Sequence, residues 1–140
     1  MTCDCLFCKI GAGAIPSYSI YEDDVVLAFL DIAPCAEGHT VVIPKKHYDT
    51  FIDMSEEEAA AYYARVNKIA KALKDGLKAD GITLGINIGE AAGQSVMHVH
   101  THLIPRRNGD GGGSVHDVVT AEVDKSPENY RRLISLVRKD

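Results

Sequence analysis

No stretch of this chain is both long and apolar enough to cross a bilayer, which takes about 20 residues in helical form. Basic residues are not in excess either: 15 Lys and Arg stand against 20 Asp and Glu, a formal charge of −5. That balance argues against non-specific attraction to nucleic acid or an anionic membrane, but not against a nucleotide, which needs only local donors. The opening Met1-Thr2-Cys3-Asp4-Cys5 lacks the basic and apolar segments of a secretory signal. The expectation is a cytoplasmic chain with reduced thiols, so its four cysteines call for an explanation other than disulfides. There is no internal repeat and no shift of composition that would mark a second domain. One domain over 1–140 is expected: a core over 1–106, then a flexible glycine-rich segment and a C-terminal helix over 107–140.

The elements follow from periodicity. Residues 18–21 and 25–30 read as two strands around the turn Glu22-Asp23-Asp24, and 40–44 as a third. Ser55 with Glu58 forms a capping box for a long helix, whose apolar face carries Ala59, Tyr62, Val66, Ile69, Leu73 and Leu77. That helix is expected to run to about Asp75, with Gly76 as its stop. Residues 82–88 alternate as a fourth strand, expected to pair antiparallel with the histidine-bearing segment after it. Ser126-Pro127 opens a last helix with Tyr130, Leu133, Ile134 and Val137 on its apolar side. The fold class is therefore α+β: an antiparallel sheet of about five strands, one long helix on it and a C-terminal helix.

The informative stretch is Gly93-Gln94-Ser95-Val96-Met97-His98-Val99-His100-Thr101-His102. Side chains two apart on a strand share a face, so His98, His100 and His102 are expected on one side of one strand. Chance alone would place such a row in roughly one chain in a hundred of this histidine content. In an extended strand the outer two would stand about 13 Å apart, too far to converge on one ion and better suited to dividing labour along a polyphosphate. Cys5-Leu6-Phe7-Cys8 has a metal-knuckle spacing, the plainer reading being two small buried thiols. Asp31 reads equally as a turn cap, and His39, ahead of a β-branched run, as a satisfied polar residue. Cys3, Cys35 and His116 are expected to be spectators.

These motifs resemble the histidine-triad (HIT) nucleotide hydrolases and transferases, whose signature is His-x-His-x-His followed by two apolar residues. The likeness runs from Cys5 to about Arg106 and includes Phe29-Leu30-Asp31-Ile32, the stretch Gly38 to His47, and Asn87. Thr101 departs from it, standing where the pattern usually has an aliphatic residue, and is expected to affect packing rather than chemistry. The resemblance implies that His47 and His98 join Cys5 and Cys8 around a structural zinc. It implies that Asp31 holds the ribose hydroxyls while Phe29 and Ile32 enclose the base. Asn87, Gly93, Gln94, Ser95 and Val96 fall at phosphate-side positions, and His39 at the place of a fourth histidine beside the triad. It further implies a purine nucleotide substrate, and a two-fold homodimer whose sheet continues across the interface.

The implied chemistry is nucleotidyl transfer to His100. One ring nitrogen attacks the α-phosphorus while the other keeps its proton on a backbone carbonyl, and the nucleotidyl–histidine is then hydrolysed. His102 would serve phosphate oxygens and the leaving group, and His39 would support the row. Gly93, Gln94 and Ser95 would cradle phosphate through backbone N–H groups and the Ser hydroxyl. Purine nucleoside phosphoramidates are the expected substrates, with dinucleoside polyphosphates as the alternative within the enzyme reading. A nucleotide-binding interaction module with little turnover and a hydrolase using the histidines as metal ligands are the competing readings.

Overall fold

The computed structural model describes residues 4–138. Five strands form one antiparallel sheet: β1 (Ser19–Glu22), β2 (Val26–Leu30), β3 (Thr40–Pro44), β4 (Gly81–Ile86) and β5 (Thr101–Arg106). Their spatial order is β1-β2-β3-β5-β4, so the fourth strand is an edge and the fifth lies inside the sheet. Three α-helices accompany them: α1 (Leu6–Gly11), α2 (Glu56–Leu77) and α3 (Pro127–Val137). This is the α+β architecture expected from the sequence.

Each face of the sheet has its own apolar cluster. On one side Tyr62, Val66, Ile69 and Leu73 of α2 pack on Val26, Ala28, Val42 and Leu103. On the other, Phe7 of α1 covers Leu27, Phe29, Val41 and Ile43. With both faces covered, β2 and, after Thr40, β3 are apolar throughout rather than alternating, and nearly every residue in them is buried. The second cluster brings the N-terminal cysteines over the sheet beside the histidines.

The Ser55–Glu58 capping box forms as expected. Its helix, however, passes through Gly76 to Leu77, and the left-handed cap is Lys78 at φ 53°. Arg107 accounts for the extra residues, because its guanidinium donates to the carbonyls of Leu77 (2.7 Å) and Lys78 and so satisfies groups a helix end leaves unpaired.

The histidine row is not one strand. Ladder pairing begins at Thr101, opposite Val42, and His98 and His100 precede it. The Val99 N–H donates to the Tyr48 carbonyl and the His98 N–H to Val96, so 96–100 bends instead of extending the ladder. At the end of β5, Arg106 donates to Asp110 and to the Gly113 carbonyl, tying the glycine-rich segment to the sheet. The α3 helix keeps the amphipathic pattern expected of it, yet none of its residues is buried. Among the described residues, no helix is long and apolar enough to cross a membrane.

Candidate active site and metal centre

His39, one residue before β3, and His102 on β5 meet across the sheet, with Nε2 of His39 3.0 Å from Nδ1 of His102. The Cys35 backbone N–H donates to Nδ1 of His39 at 3.2 Å, so that nitrogen carries no proton. In its neutral form His39 therefore holds its proton on Nε2 and gives it to Nδ1 of His102. By the same logic a neutral His102 keeps its own proton on Nε2, as a donor. Burial, with His100 and His39 alongside, holds His102 below the ordinary histidine range, which favours the neutral ring at pH 7.

Asp31 follows β2. Its Oδ2 lies 3.5 Å from Nε2 of His39, and its Oδ1 accepts from the Ala33 N–H at 2.9 Å. The carboxylate thus caps a turn and also faces the histidine pair. Ile32 beside it is 86% exposed, whereas Phe29 is buried edge-on against Phe7. Asp31 thus sets a carboxylate beside His39, and Phe29 joins through Phe7 the apolar packing that reaches His100.

His100 is buried, and its Nδ1 donates to the His98 carbonyl at 2.8 Å. With the proton held there, the neutral ring offers its lone pair at Nε2. The ring of Phe7 packs edge-on against it, centroids 5.0 Å apart, and fixes its tilt. Position 7 between the two cysteines is a contact that sequence spacing alone did not reveal.

His98 turns the other way. Nδ1 of His98 and Nδ1 of His47 are 3.2 Å apart, and the sulfurs of Cys5 and Cys8 stand 3.3–3.6 Å from both. A tetrahedral zinc with bonds of about 2.3 Å to sulfur and 2.0–2.1 Å to nitrogen sets sulfur and nitrogen about 3.6 Å apart, and two nitrogens about 3.4 Å apart. The donor set fits that ion. The outer nitrogens agree: Nε2 of His98 donates to the Pro44 carbonyl at 2.8 Å, and Nε2 of His47 to Asp49 at 2.6 Å. Both protons are thereby held outward, and two lone pairs face each other across a gap that only a cation makes favourable. The Cys8 N–H also donates to Sγ of Cys5 at 3.1 Å, as suits a thiolate. Asp49 was missed in the sequence, though its place two residues after His47 is the available signal.

Asp31, His39 and His102 also cluster closely enough to be considered as metal ligands. Their geometry favours a hydrogen bond. The His39 and His102 rings have centroids 5.2 Å apart for nitrogens 3.0 Å apart, a head-on approach. The His47 and His98 centroids are closer, at 4.9 Å, although their nitrogens are further apart, as when two rings converge on a shared point.

The phosphate-side loop is only partly as expected. The Gly93 and Gln94 N–H groups donate to Glu90 and Gly89 within the loop, so they cannot also serve as the proposed cradle. Gln94 is buried; its amide donates to the carbonyls of Asp49 (2.6 Å) and Val96 (3.0 Å) and accepts from the Gly89 N–H (2.8 Å). Its side chain therefore braces the loop against the metal-side segment. Ser95 and Asn87 are exposed, and Val96 packs on the Phe7 cluster. Gly93, at φ 100°, turns the chain there, and a Cβ on it would lie 3.8 Å from the Asn87 amide. Cys3 lies outside the described residues. Cys35 is exposed and enters the site through its backbone, and His116 is exposed in the tail.

A histidine relay, a bent histidine segment before a sheet strand and a flanking Cys2His2 cluster define a histidine-triad domain. Residues 12–109 match the HIT domain, and the chain belongs to that family. It is 46% identical to the protein hit of Bacillus subtilis over 137 residues, 97% of this chain and 93% of that one. It is similar to a zinc-bound histidine triad family protein of Mycobacterium smegmatis at 41% identity and TM-score 0.73, covering 95% of this chain and 91% of that one. Adenylylsulfatase HINT3 of Arabidopsis thaliana is 41% identical over 107 residues, 76% of this chain and 54% of that protein.

Proposed function

We propose that this chain is a nucleotide hydrolase that transfers a nucleoside monophosphate to His100 and then to water, with purine nucleoside phosphoramidates or related adenylyl conjugates as substrates. The observation that carries this reading is the tautomer held at His100, with Nδ1–H on the His98 carbonyl and the Nε2 lone pair available. Nε2 forms a bond to the α-phosphorus as the bond to the leaving atom breaks, and the bonding electron pair departs with that atom. His102, its Nδ1 occupied by His39, directs Nε2–H at the phosphoryl oxygens and the leaving atom. Water then attacks the same phosphorus and breaks the P–N bond. Over both halves one water is consumed, its oxygen ending on phosphorus and a proton on the leaving group. Asp31 would accept from the ribose hydroxyls, Phe29 and Ile32 would border the base, and Ser95, Asn87 and the 93–96 turn would face the phosphate. A relative named an adenylylsulfatase supports hydrolysis at an adenylyl group.

Cys5, Cys8, His47 and His98 would hold a structural zinc. Four ligands leave no open position, so its contribution is to fix α1 and the His98 segment. A homodimer is part of the proposal: β4 is a free edge with Leu84 exposed along it, the arrangement from which a sheet continues into a second copy.

Steady-state hydrolysis of adenosine phosphoramidate tests the function. Turnover by the wild type that survives chelator in folded protein and is lost in His100→Ala supports it. Turnover unaffected by His100→Ala would overturn it.

A further inference from the structure

Residues 47–49 carry one side chain of the Cys2His2 cluster and two struts to the segment that bears the histidines. His47 turns Nδ1 to the cluster and donates from Nε2 to the Asp49 carboxylate. The Tyr48 carbonyl accepts from the Val99 N–H at 2.9 Å, and the Asp49 carbonyl from the Gln94 amide at 2.6 Å. Gln94 is 4% exposed, and its neighbours settle which end of the amide is which: two carbonyls take the Nε2 hydrogens, and the Gly89 N–H meets Oε1. One buried side chain thus closes the turn from Gly89 to Val96 on itself and fastens it to residue 49. The turn has little stiffness of its own, since Gly89 and Gly93 stand at φ 89° and 100°.

We infer that Gln94 is a positioning residue that couples the metal centre to phosphate binding. The inference rests on the zinc and nucleotide readings above. An ion held by His47 fixes 47–49, Gln94 passes that constraint to the turn, and the turn presents Ser95 and Asn87 to the phosphate. Asp31, the proposed ribose contact, is held after β2 by the Ala33 N–H instead, so a nucleoside without phosphate draws little on this link. Coupling between two binding sites is reciprocal: a phosphate that orders the turn must tighten the ion by the same factor.

The test measures the zinc affinity of the full chain by competition with a chromophoric chelator, alone and with saturating adenosine or AMP. AMP is expected to raise that affinity at least about fivefold, and adenosine less than about twofold. Gln94→Met keeps the volume and removes the struts, and Gln94→Glu keeps the acceptor for Gly89 and removes both donors. In each the AMP effect on zinc should fall below about twofold, with AMP binding weakened and adenosine affinity within about twofold of wild type. Loss of packing alone would weaken both ligands alike and would count against a positioning role. In wild type, an AMP effect no larger than that of adenosine would overturn the coupling, and so would an AMP effect undiminished in either folded variant. If wild type holds no zinc, the metal reading fails; if it holds zinc and binds neither AMP nor adenosine, the nucleotide reading fails.

Discussion

Single atoms decide the tautomers here. Backbone groups do the work: the Cys35 N–H orders His39, which orders His102, and the His98 carbonyl orders His100. The sequence reading expected a backbone carbonyl behind the His100 ring, but which backbone groups order each ring is not visible in a sequence, and His39 was left open between a supporting role and a satisfied polar residue. Two of the expected cradle donors were misjudged for the same reason, since the turn itself uses the Gly93 and Gln94 N–H groups. Replacing His102 with Ala should lower kcat by about 10²–10⁴-fold in steady-state assays, the usual range for a positioned proton donor. His102 also links stability to pH. Its folded-state pKa lies below the ordinary 6.5, so the unfolded chain binds the proton more readily. The contribution is fully present above about pH 6.5 and is lost as pH falls through the folded-state value. Denaturant midpoints of wild type should fall from about pH 7 to about pH 5 by more than those of His102→Gln. If the Cys5, Cys8, His47 and His98 cluster holds zinc as proposed, Cys5→Ser should reduce bound zinc from about one ion per chain to a small fraction, read by elemental analysis, with a lower melting temperature.

Between elements, the central contact is Tyr62. Its hydroxyl, fully buried in α2, donates to the Val42 carbonyl of β3 and accepts from Thr101 of β5, both at 2.7 Å. Burial pushes this phenol well above its usual range, so it stays a donor at any ordinary pH. The departure at Thr101 is thereby explained: the residue facing away from the histidines has a hydroxyl because the helix offers it a phenol. The sequence placed Tyr62 on the packed face of the helix and Thr101 on a strand, but the pairing needs the helix-to-sheet registration that only the fold supplies. Tyr62→Phe strands two buried groups and should cost about 1–3 kcal/mol. Thr101→Val should cost about 1 kcal/mol, and the double variant less than the sum, in urea unfolding. Strand starts and helix stops were the least legible features. Arg107, 30 residues beyond Leu77 in sequence, carries the helix past its glycine, and a Tyr48 carbonyl diverts the histidine segment from the ladder.

Across the described residues, the outer edges of β1 and β4 carry no further strand, and no residue of the amphipathic α3 is buried. Tyr130, Leu133, Ile134 and Val137 keep the spacing that suggested a closing helix, yet all four are exposed. Periodicity reports that a face is apolar and leaves open what covers it. The five-strand sheet, its helix and the Cys2His2 grouping were legible because each rests on local pattern or on a motif carried by the histidine-triad resemblance. If the sheet continues into a second copy, Leu84→Glu on the edge strand should halve the mass seen by light scattering, without loss of far-ultraviolet helix signal.

The most direct test of covalent transfer to His100 is an intact mass spectrum taken at neutral pH, without acid quench, seconds after mixing with adenosine phosphoramidate. Wild type should gain the mass of one adenylate per chain, and His100→Ala should gain none while still binding AMP. An adduct that persists in His100→Ala would contradict the assignment of His100 as the residue that takes up the nucleotide.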